Sequence, residues 1–255
     1  MGNDRPDVLV CIPARYGSSR FPGKPLAKLA GKPLIQHTYE AAQHIPSVSD
    51  ILVVTDDQRI EQTVREFGGQ ACLVETPCRT GSDRVAHAVS HLAYDVIINL
   101  QADEIPLAPS LLTDLIDPFL ASETLIGTLK RRIEDNGEVQ NSSIVKVVTN
   151  KQGEALYFSR SGIPFVRDNE PSSKERVRQY MHLGIYMFRK DVLQQFAALP
   201  TGMLEEVESL EQLRALEYGI PIRVWKTCAP SLRIDTPEDL RQATYYLAQR
   251  ASCES

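Results

Sequence analysis

The stretch Asp95-Val-Ile-Ile-Asn-Leu-Gln-Ala-Asp-Glu104 decides how this chain folds, because its apolar run scarcely alternates and then stops in carboxylates. A strand with one wet face alternates apolar and polar residues, whereas an unbroken run belongs to a parallel strand covered on both faces. Parallel neighbours need crossover helices, and the sequence before this stretch supplies them. Val8-Leu-Val-Cys-Ile12 reads as a first strand, Pro33–Ala42 as a helix opened by proline, and Asp50–Thr55 as a second strand. Arg59–Phe67 reads as an amphipathic helix closed by Gly68-Gly69, Ala71–Val74 as a short third strand and Asp83–Leu92 as a further helix. This alternation predicts an α/β fold: a doubly wound, Rossmann-like, mostly parallel sheet whose ligands collect at the carboxyl ends of its strands.

The middle of the chain has another rhythm. Thr124–Ile133, Ile144–Thr149 and Ala155–Phe158 read as strands with short connections, followed by a polar loop at 168–176 and a strand over Met181–Phe188. A smaller antiparallel lobe around residues 124–190 is therefore expected within a single domain of residues 1–255. Beyond it the spacing predicts a helix over Leu204–Tyr218 closed by Gly219, a strand over Ile222–Trp225 and a last helix opened by Thr236-Pro-Glu-Asp.

Bulk properties remove several classes. With 42% hydrophobic and 24% charged residues the chain has ample material for a core. A formal charge of -5 argues against a surface built to grip nucleic acid. No apolar run approaches the roughly 20 residues that span a bilayer, and the polar, acidic start MGNDRPD is unlike a signal peptide, so a cytoplasmic protein without membrane partners is expected. Five cysteines, with no C-x-x-C pair, suggest reduced thiols.

Three segments carry chemistry. Cys11-Ile-Pro-Ala-Arg-Tyr-Gly-Ser-Ser-Arg-Phe-Pro-Gly-Lys-Pro-Leu26 follows the first strand and sets Arg15, Arg20 and Lys24 among glycines that let backbone N–H groups approach an anion. It is no P-loop: one residue too many separates Gly17 from Gly23, and Pro25 replaces the hydroxyl that would hold magnesium. The loop is either a polyphosphate site or a solvated turn. Asp103 and Glu104 end the fourth strand, where hard oxygen donors suit Mg²⁺ or simply form an acidic turn. Asp235 precedes the last helix and is either a second capping residue or a metal ligand. Together the three segments suit phosphoryl transfer, with two carboxylates for a metal and cations for a triphosphate. A dinucleotide-dependent dehydrogenase is disfavoured because no G-x-G-x-x-G follows the first strand.

IPARYGSSRFPGKPL, NLQADE, ALYFSRSGIPF, HLGIY, LEQLRALEYG and IDTPEDL, in this order over nearly the whole chain, resemble the 3-deoxy-manno-octulosonate cytidylyltransferase (CMP-Kdo synthetase) family. The resemblance implies a Mg²⁺-dependent, usually dimeric nucleotidyltransferase that couples CTP to the acidic eight-carbon sugar Kdo. It releases pyrophosphate and makes the CMP-Kdo used for lipopolysaccharide. Carried over by position, Arg15 and Lys24 hold the CTP phosphates with help from Ser18. Thr80, Arg84 and Gln101 belong to the nucleotide site, and Asp103 and Asp235 are the metal ligands. Arg15, Lys24, Asp103 and Asp235 form the catalytic set. Gln101, Arg160, His182, Tyr186, Glu211 and Gln212 match the sugar contacts, and Arg20 has no assigned role.

By its residues alone, His182 also reads as a core histidine, and Glu211 with Arg214 as a surface ion pair at helical spacing. The chain departs from the family where Ala102 replaces the glycine of Gln-Gly-Asp-Glu, where Ile105 interrupts the usual Glu-Pro, and where Phe165-Val166 replaces a Trp and an acidic residue. An alanine forced to positive φ would strain the site by about 1 kcal/mol. A weakly active CTP-binding relative is the corresponding alternative. YGSSRFPGKPL and LEQLRALEYG look most like the subgroup that includes enzymes for 8-amino-3,8-dideoxy-manno-octulosonate, an alternative sugar.

Overall fold

The unbroken apolar runs lie where their composition demands, with β1 (Val8–Ala14) and β6 (Val96–Leu100) buried along their whole length. The computed structural model describes residues 6–17, 21–167 and 178–253. The chain divides into two units, one taking residues up to Thr113 and resuming at Ala229, the other running Asp114–Cys228.

In the first unit β6 and β1 are joined by β4 (Asp50–Thr55) and β5 (Ala71–Leu73) in the order β6-β1-β4-β5, each pair parallel, while the two-residue strands β2 (Lys28–Leu29) and β3 (Lys32–Pro33) pair only with each other. The helices α1 (Leu34–Gln43) and α2 (Gln58–Glu66) carry the chain outward from β1 to β5, and α3 (Gly81–Val89) returns it to the other side of β1. This reversal opens a crevice at the carboxyl ends of β1 and β6, the place where doubly wound sheets bind ligands. The helix expected from Asp83 begins at Gly81 instead, because the Thr80 hydroxyl accepts from the Asp83 N–H at 3.1 Å and caps it.

A second, smaller pairing in this unit has no counterpart in the sequence reading. Glu104–Pro106 (β7) runs antiparallel to Ser231–Arg233, with Ile105 opposite Leu232. Strands of three residues are too short to show a period. The pairing makes Ile105 a core residue, packed with Leu29, Leu34, Ile234 and Ala243, so its departure from the family pattern adds apolar burial.

The second unit is mostly antiparallel. Its strands β8 (Ile126–Arg132), β9 (Lys146–Thr149), β10 (Ala155–Ser159), β11 (Tyr180–Arg189) and β12 (Ile222–Lys226) lie in the order β10-β9-β11-β8-β12, and only β8 and β12 are parallel. The unit spans more chain than the lobe read at 124–190. Its helix Lys190–Ala198 follows β11 without a linker, which hides the change from strand to helix periodicity. β11 carries a register shift between Leu183 and Tyr186.

The helix expected over Leu204–Tyr218 is two helices, Met203–Glu208 and Gln212–Glu217, broken at Ser209 with φ 51°. Side chains stabilise the break: Arg160 Nε donates to the Glu208 carbonyl at 2.8 Å and Arg160 Nη2 to the Ser209 carbonyl at 3.2 Å. The Glu217 carboxylate accepts from the Leu204 N–H at 3.1 Å at the start of the first helix. The Glu211–Arg214 surface pair is also corrected. Arg214 is wholly buried and forks onto Glu205, with Nε–Oε2 at 2.7 Å and Nη2–Oε1 at 2.6 Å. The break points Arg214 inward, where its guanidinium lies 4.6 Å from the Phe196 ring centroid.

Among the described residues no helix is long and apolar enough to cross a membrane, and Cys11, Cys72, Cys78 and Cys228 are free thiols.

Removing one partner of a buried ion pair strands the other. Arg214→Ala is therefore expected to destabilise the protein by about 3–5 kcal/mol in urea unfolding. A loss under ~1 kcal/mol would show that Glu205 is readily hydrated without its partner.

Candidate active site

The crevice at the ends of β1 and β6 holds a pocket of about 200 Å³ lined by Arg15, Arg79, Thr80, Gly81, Arg84 and Gln101, among others. Its electrostatics favour an anionic, hydrogen-bonding ligand: three guanidinium groups stand beside the N-terminus of α3, the positive end of that helix. Arg84 is buried and binds Asp56 Oδ2 at 2.7 Å through Nη2, while its Nε has no hydrogen-bond partner among the described residues. A buried, unpaired N–H of this kind is costly without a ligand. Gly81 keeps the pocket floor open, since a Cβ there would come within 3.3 Å of Pro13 Cγ and 3.6 Å of Gln101 Nε2.

Asn99 and Ser82, both buried, support Gln101, and neither is among the site residues read from the sequence. Asn99 Nδ2 donates to Ser82 Oγ at 2.9 Å and Gln101 Nε2 donates to Asn99 Oδ1 at 3.3 Å, tying β6 to α3. The available signal was the polar residue in an otherwise unbroken strand.

Beside the pocket, in the same unit, the cationic loop and both carboxylates converge. Lys24 Nζ lies 2.7 Å from Asp103 Oδ2 and 3.5 Å from Asp235 Oδ1, and Arg233 Nε lies 3.1 Å from Asp235 Oδ2. The short antiparallel pairing causes this convergence, because Asp103 adjoins one strand and Asp235 follows the other, with Ile234 N–H donating to the Asp103 carbonyl at 3.0 Å. Asp235 is not the cap of the last helix. Thr236 Oγ1 accepts from the Asp239 N–H at 3.2 Å, and the Asp239 carboxylate accepts from the N–H groups of Thr236 and Asp235 at 2.8 and 2.9 Å, a capping box that leaves the Asp235 carboxylate facing Lys24.

Gly23 aims Lys24. It stands at φ 69°, its N–H donates to the Tyr16 carbonyl at 2.9 Å, and Lys24–Leu26 then turns as a short 3₁₀ helix stiffened by Pro25. Tyr16 is held from behind by Arg59, whose guanidinium lies 3.4 Å from the ring centroid while forking onto Asp57. Ala102 is buried and is not among the left-handed residues, so the feared backbone strain is absent; its carbonyl accepts from the Thr38 hydroxyl at 3.4 Å. Ser18 and Arg20, like the loop at 168–176, lie outside the described residues.

Among the described residues no group of three or more His, Cys, Asp or Glu side chains could hold a metal ion on its own. Asp103 and Asp235 instead offer two hard carboxylates already sharing one cation. That donor set fits Mg²⁺, which takes one or two carboxylates and completes its shell with phosphate oxygens and water.

Of the residues matched to the sugar, Gln101 lies in the first unit and Arg160, His182, Tyr186, Glu211 and Gln212 lie in the second. The His182 ring packs 5.0 Å from Phe158 and 5.2 Å from Tyr186, centroid to centroid. The Tyr186 hydroxyl is buried without a hydrogen-bond partner among the described residues, and burial, followed by the Glu211 carboxylate, pushes its pKa well above the ordinary phenol range. Gln212 is buried on the same helical turn as Glu211. Arg160 donates to the carbonyls of Glu208, Ser209 and Ser142, so its guanidinium plane is fixed by backbone.

Lys146 supports this arrangement. Buried within β9, it donates to the carbonyls of Asn141, Ile144 and Arg160 at 2.9, 2.7 and 2.6 Å. Its pKa is lowered by burial and then by Arg160, with Glu208 acting in the opposite direction. A lysine between β-branched residues in a strand was the only hint in the sequence.

Known proteins extend this geometry. A cytidylyltransferase family model matches residues 9–226. A 3-deoxy-manno-octulosonate cytidylyltransferase of Trichlorobacter lovleyi is 45% identical over 95% of this chain and 99% of its own. An 8-amino-3,8-dideoxy-manno-octulosonate cytidylyltransferase of Shewanella baltica is 43% identical over 95% and 99% respectively. The solved structure of a CMP:2-keto-3-deoxy-manno-octonic acid synthetase complexed with CTP superposes with a TM-score of 0.88 at 41% identity, covering 96% of this chain and 99% of the other.

The geometry of Gly23 makes a sharp prediction. A Cβ at this position would stand 3.1 Å from the Tyr16 ring on a left-handed backbone, so Gly23→Ala should cost roughly 1–2 kcal/mol and lower the melting temperature by about 2–4 °C per kcal/mol. Affinity for CTP, read by calorimetry, should fall with it as Lys24 is displaced. Unchanged affinity in a folded variant would mean that Gly23 does not aim the lysine.

Proposed function

This chain belongs to the cytidylyltransferase family, among the 3-deoxy-manno-octulosonate enzymes, and from that membership we propose that it couples CTP to Kdo, giving CMP-Kdo and pyrophosphate. The observation that carries the reading is the convergence of Lys24, Asp103 and Asp235, since it joins a phosphate-binding cation to a carboxylate pair suited to a metal.

In this reading the pocket at the ends of β1 and β6 takes the cytidine. Arg84 Nε gains the partner it lacks, Gln101 is held in place by Asn99, and Arg15 faces the triphosphate. Asp103 and Asp235 would hold Mg²⁺, which when bound supplies charge neutralisation to the phosphates. Lys24 then contributes its positive charge to the triphosphate, and together with Arg15 it stabilises the negative charge that develops on the departing pyrophosphate. Ser18 belongs to the same phosphate-binding loop.

On the sugar side, Arg160 pairs with the carboxylate of Kdo, its orientation set in advance by three carbonyls. The buried Tyr186 hydroxyl, His182, Glu211 and Gln212 read sugar hydroxyls. The anomeric hydroxyl attacks the α-phosphorus: a new P–O bond forms as the bond to pyrophosphate breaks, with no covalent enzyme intermediate. A cytoplasmic homodimer supplying lipopolysaccharide synthesis belongs to the same proposal. The Shewanella baltica relative motivates a second reading in which the sugar carries an 8-amino group.

Pyrophosphate release from CTP, measured in parallel with Kdo, 8-amino-3,8-dideoxy-manno-octulosonate and a sialic acid, tests the proposal. Release with Kdo is expected, and should stop when Mg²⁺ is chelated. Release with the amino sugar alone would move the assignment to the second reading. No release with any sugar, from protein that still binds CTP, would leave a nucleotide-binding relative without this activity. Asp235→Asn should lower turnover by about a hundredfold or more with the melting temperature nearly unchanged; full turnover would remove Asp235 from the reacting centre.

A further inference from the structure

We infer that Thr128 is a positioning residue that fixes which nitrogen of His182 carries the proton, and through it how His182 meets a sugar hydroxyl. The inference rests on the reading of His182 as a sugar contact.

Thr128 is wholly buried in β8, opposite the shifted segment of β11. Its hydroxyl oxygen lies 2.7 Å from the Ile185 carbonyl, 3.2 Å from the Leu183 carbonyl and 3.0 Å from His182 Nε2. A hydroxyl has one proton to give and two lone pairs with which to accept, and a carbonyl oxygen only accepts. If the proton went to His182, the Ile185 carbonyl and the hydroxyl oxygen would face each other at 2.7 Å with no hydrogen between them. The proton therefore goes to the carbonyls of the bulge, and toward His182 the oxygen is an acceptor. Nε2 must then carry a hydrogen, and in the neutral ring Nδ1 carries the lone pair.

The bulge and the tautomer are thus set by a single side chain. The shift in β11 turns the carbonyls of Leu183 and Ile185 onto one point on β8, where a valine of the same shape would leave them without this donor. His182 is also constrained sideways by Phe158 and Tyr186, so its ring orientation is fixed along with its proton. A ring with an accepting Nδ1 recognises a hydroxyl as a donor, and the opposite tautomer would present an N–H at that position.

The test labels the histidine rings of the full-length protein with ¹⁵N and assigns His182 from the spectrum of His182→Gln. Where the imidazole is neutral, the wild-type ring is expected to be protonated at Nε2. Thr128→Val should give a mixture of tautomers and raise KM for Kdo about fivefold at saturating CTP, the effect of one hydrogen bond, with a smaller change in kcat. Thr128→Ser should restore both. A wild-type ring protonated at Nδ1, or a Thr128→Val protein with unaltered ring and KM, overturns the inference, and a changed tautomer with unchanged KM overturns the positioning role. If Thr128→Val does not fold, the wild-type and Thr128→Ser spectra decide the assignment. His182→Gln with unchanged KM for the sugar would sink the sugar-contact reading while leaving the tautomer assignment intact, so the two failures are distinguishable.

Discussion

The antiparallel pairing of Glu104–Pro106 with Ser231–Arg233 is the constraint on which the first unit's chemistry depends. It is a small piece of sheet, yet it fixes two carboxylates from distant parts of the chain within reach of one ammonium group. Its faces are closed by a core of Leu29, Leu34, Ile105, Ile234 and Ala243, so apolar burial holds the like-charged residues together. Ile105 is instructive here. Proline cannot donate to a strand pairing, whereas isoleucine supplies both an N–H and a large side chain.

The parallel sheet was legible because its signal is redundant. Val8–Ala14 is apolar throughout and Val96–Leu100 is interrupted by Asn99 alone, and helix-forming stretches separate the parallel strands. The carboxylates and the cationic loop were legible for a related reason: charged residues placed where a buried run stops stand out against the pattern. What stayed hidden was set by tertiary contact. The Leu204–Tyr218 stretch has continuous helical spacing, and it breaks at Ser209, where Arg160 takes the carbonyls of Glu208 and Ser209. Arg214 looks like a surface residue until its partner, Glu205, is seen on the preceding helix. A three-residue strand such as Glu104–Pro106 has too few positions for any periodicity. The residues matched to the sugar were singled out only through resemblance, because one His, one Tyr and one Gln in apolar surroundings are ordinary core residues by every local criterion.

The second unit shows how polar groups can be buried without loss of order. Lys146 satisfies three carbonyls, Arg160 another three, and Glu208 accepts from the Ser159 hydroxyl at 2.6 Å and the Arg160 N–H at 3.0 Å. Each group stabilises backbone that would otherwise be unpaired in a loop or helix end. The result is a rigid frame around Arg160, of the sort a binding group needs if little entropy is to be lost when its ligand arrives.

Lys24, placed between Asp103 and Asp235, has one more effect. Two carboxylates brought together would repel each other and resist folding, but here the chain carries its own counter-ion on a flexible four-carbon stem. The folded protein can therefore assemble the pair without waiting for any ion from solution, and the lysine can leave when a stronger charge takes its place. Assembly of the pair thus needs nothing from solution: the charge that lets two carboxylates share one place in the fold is written into the chain itself.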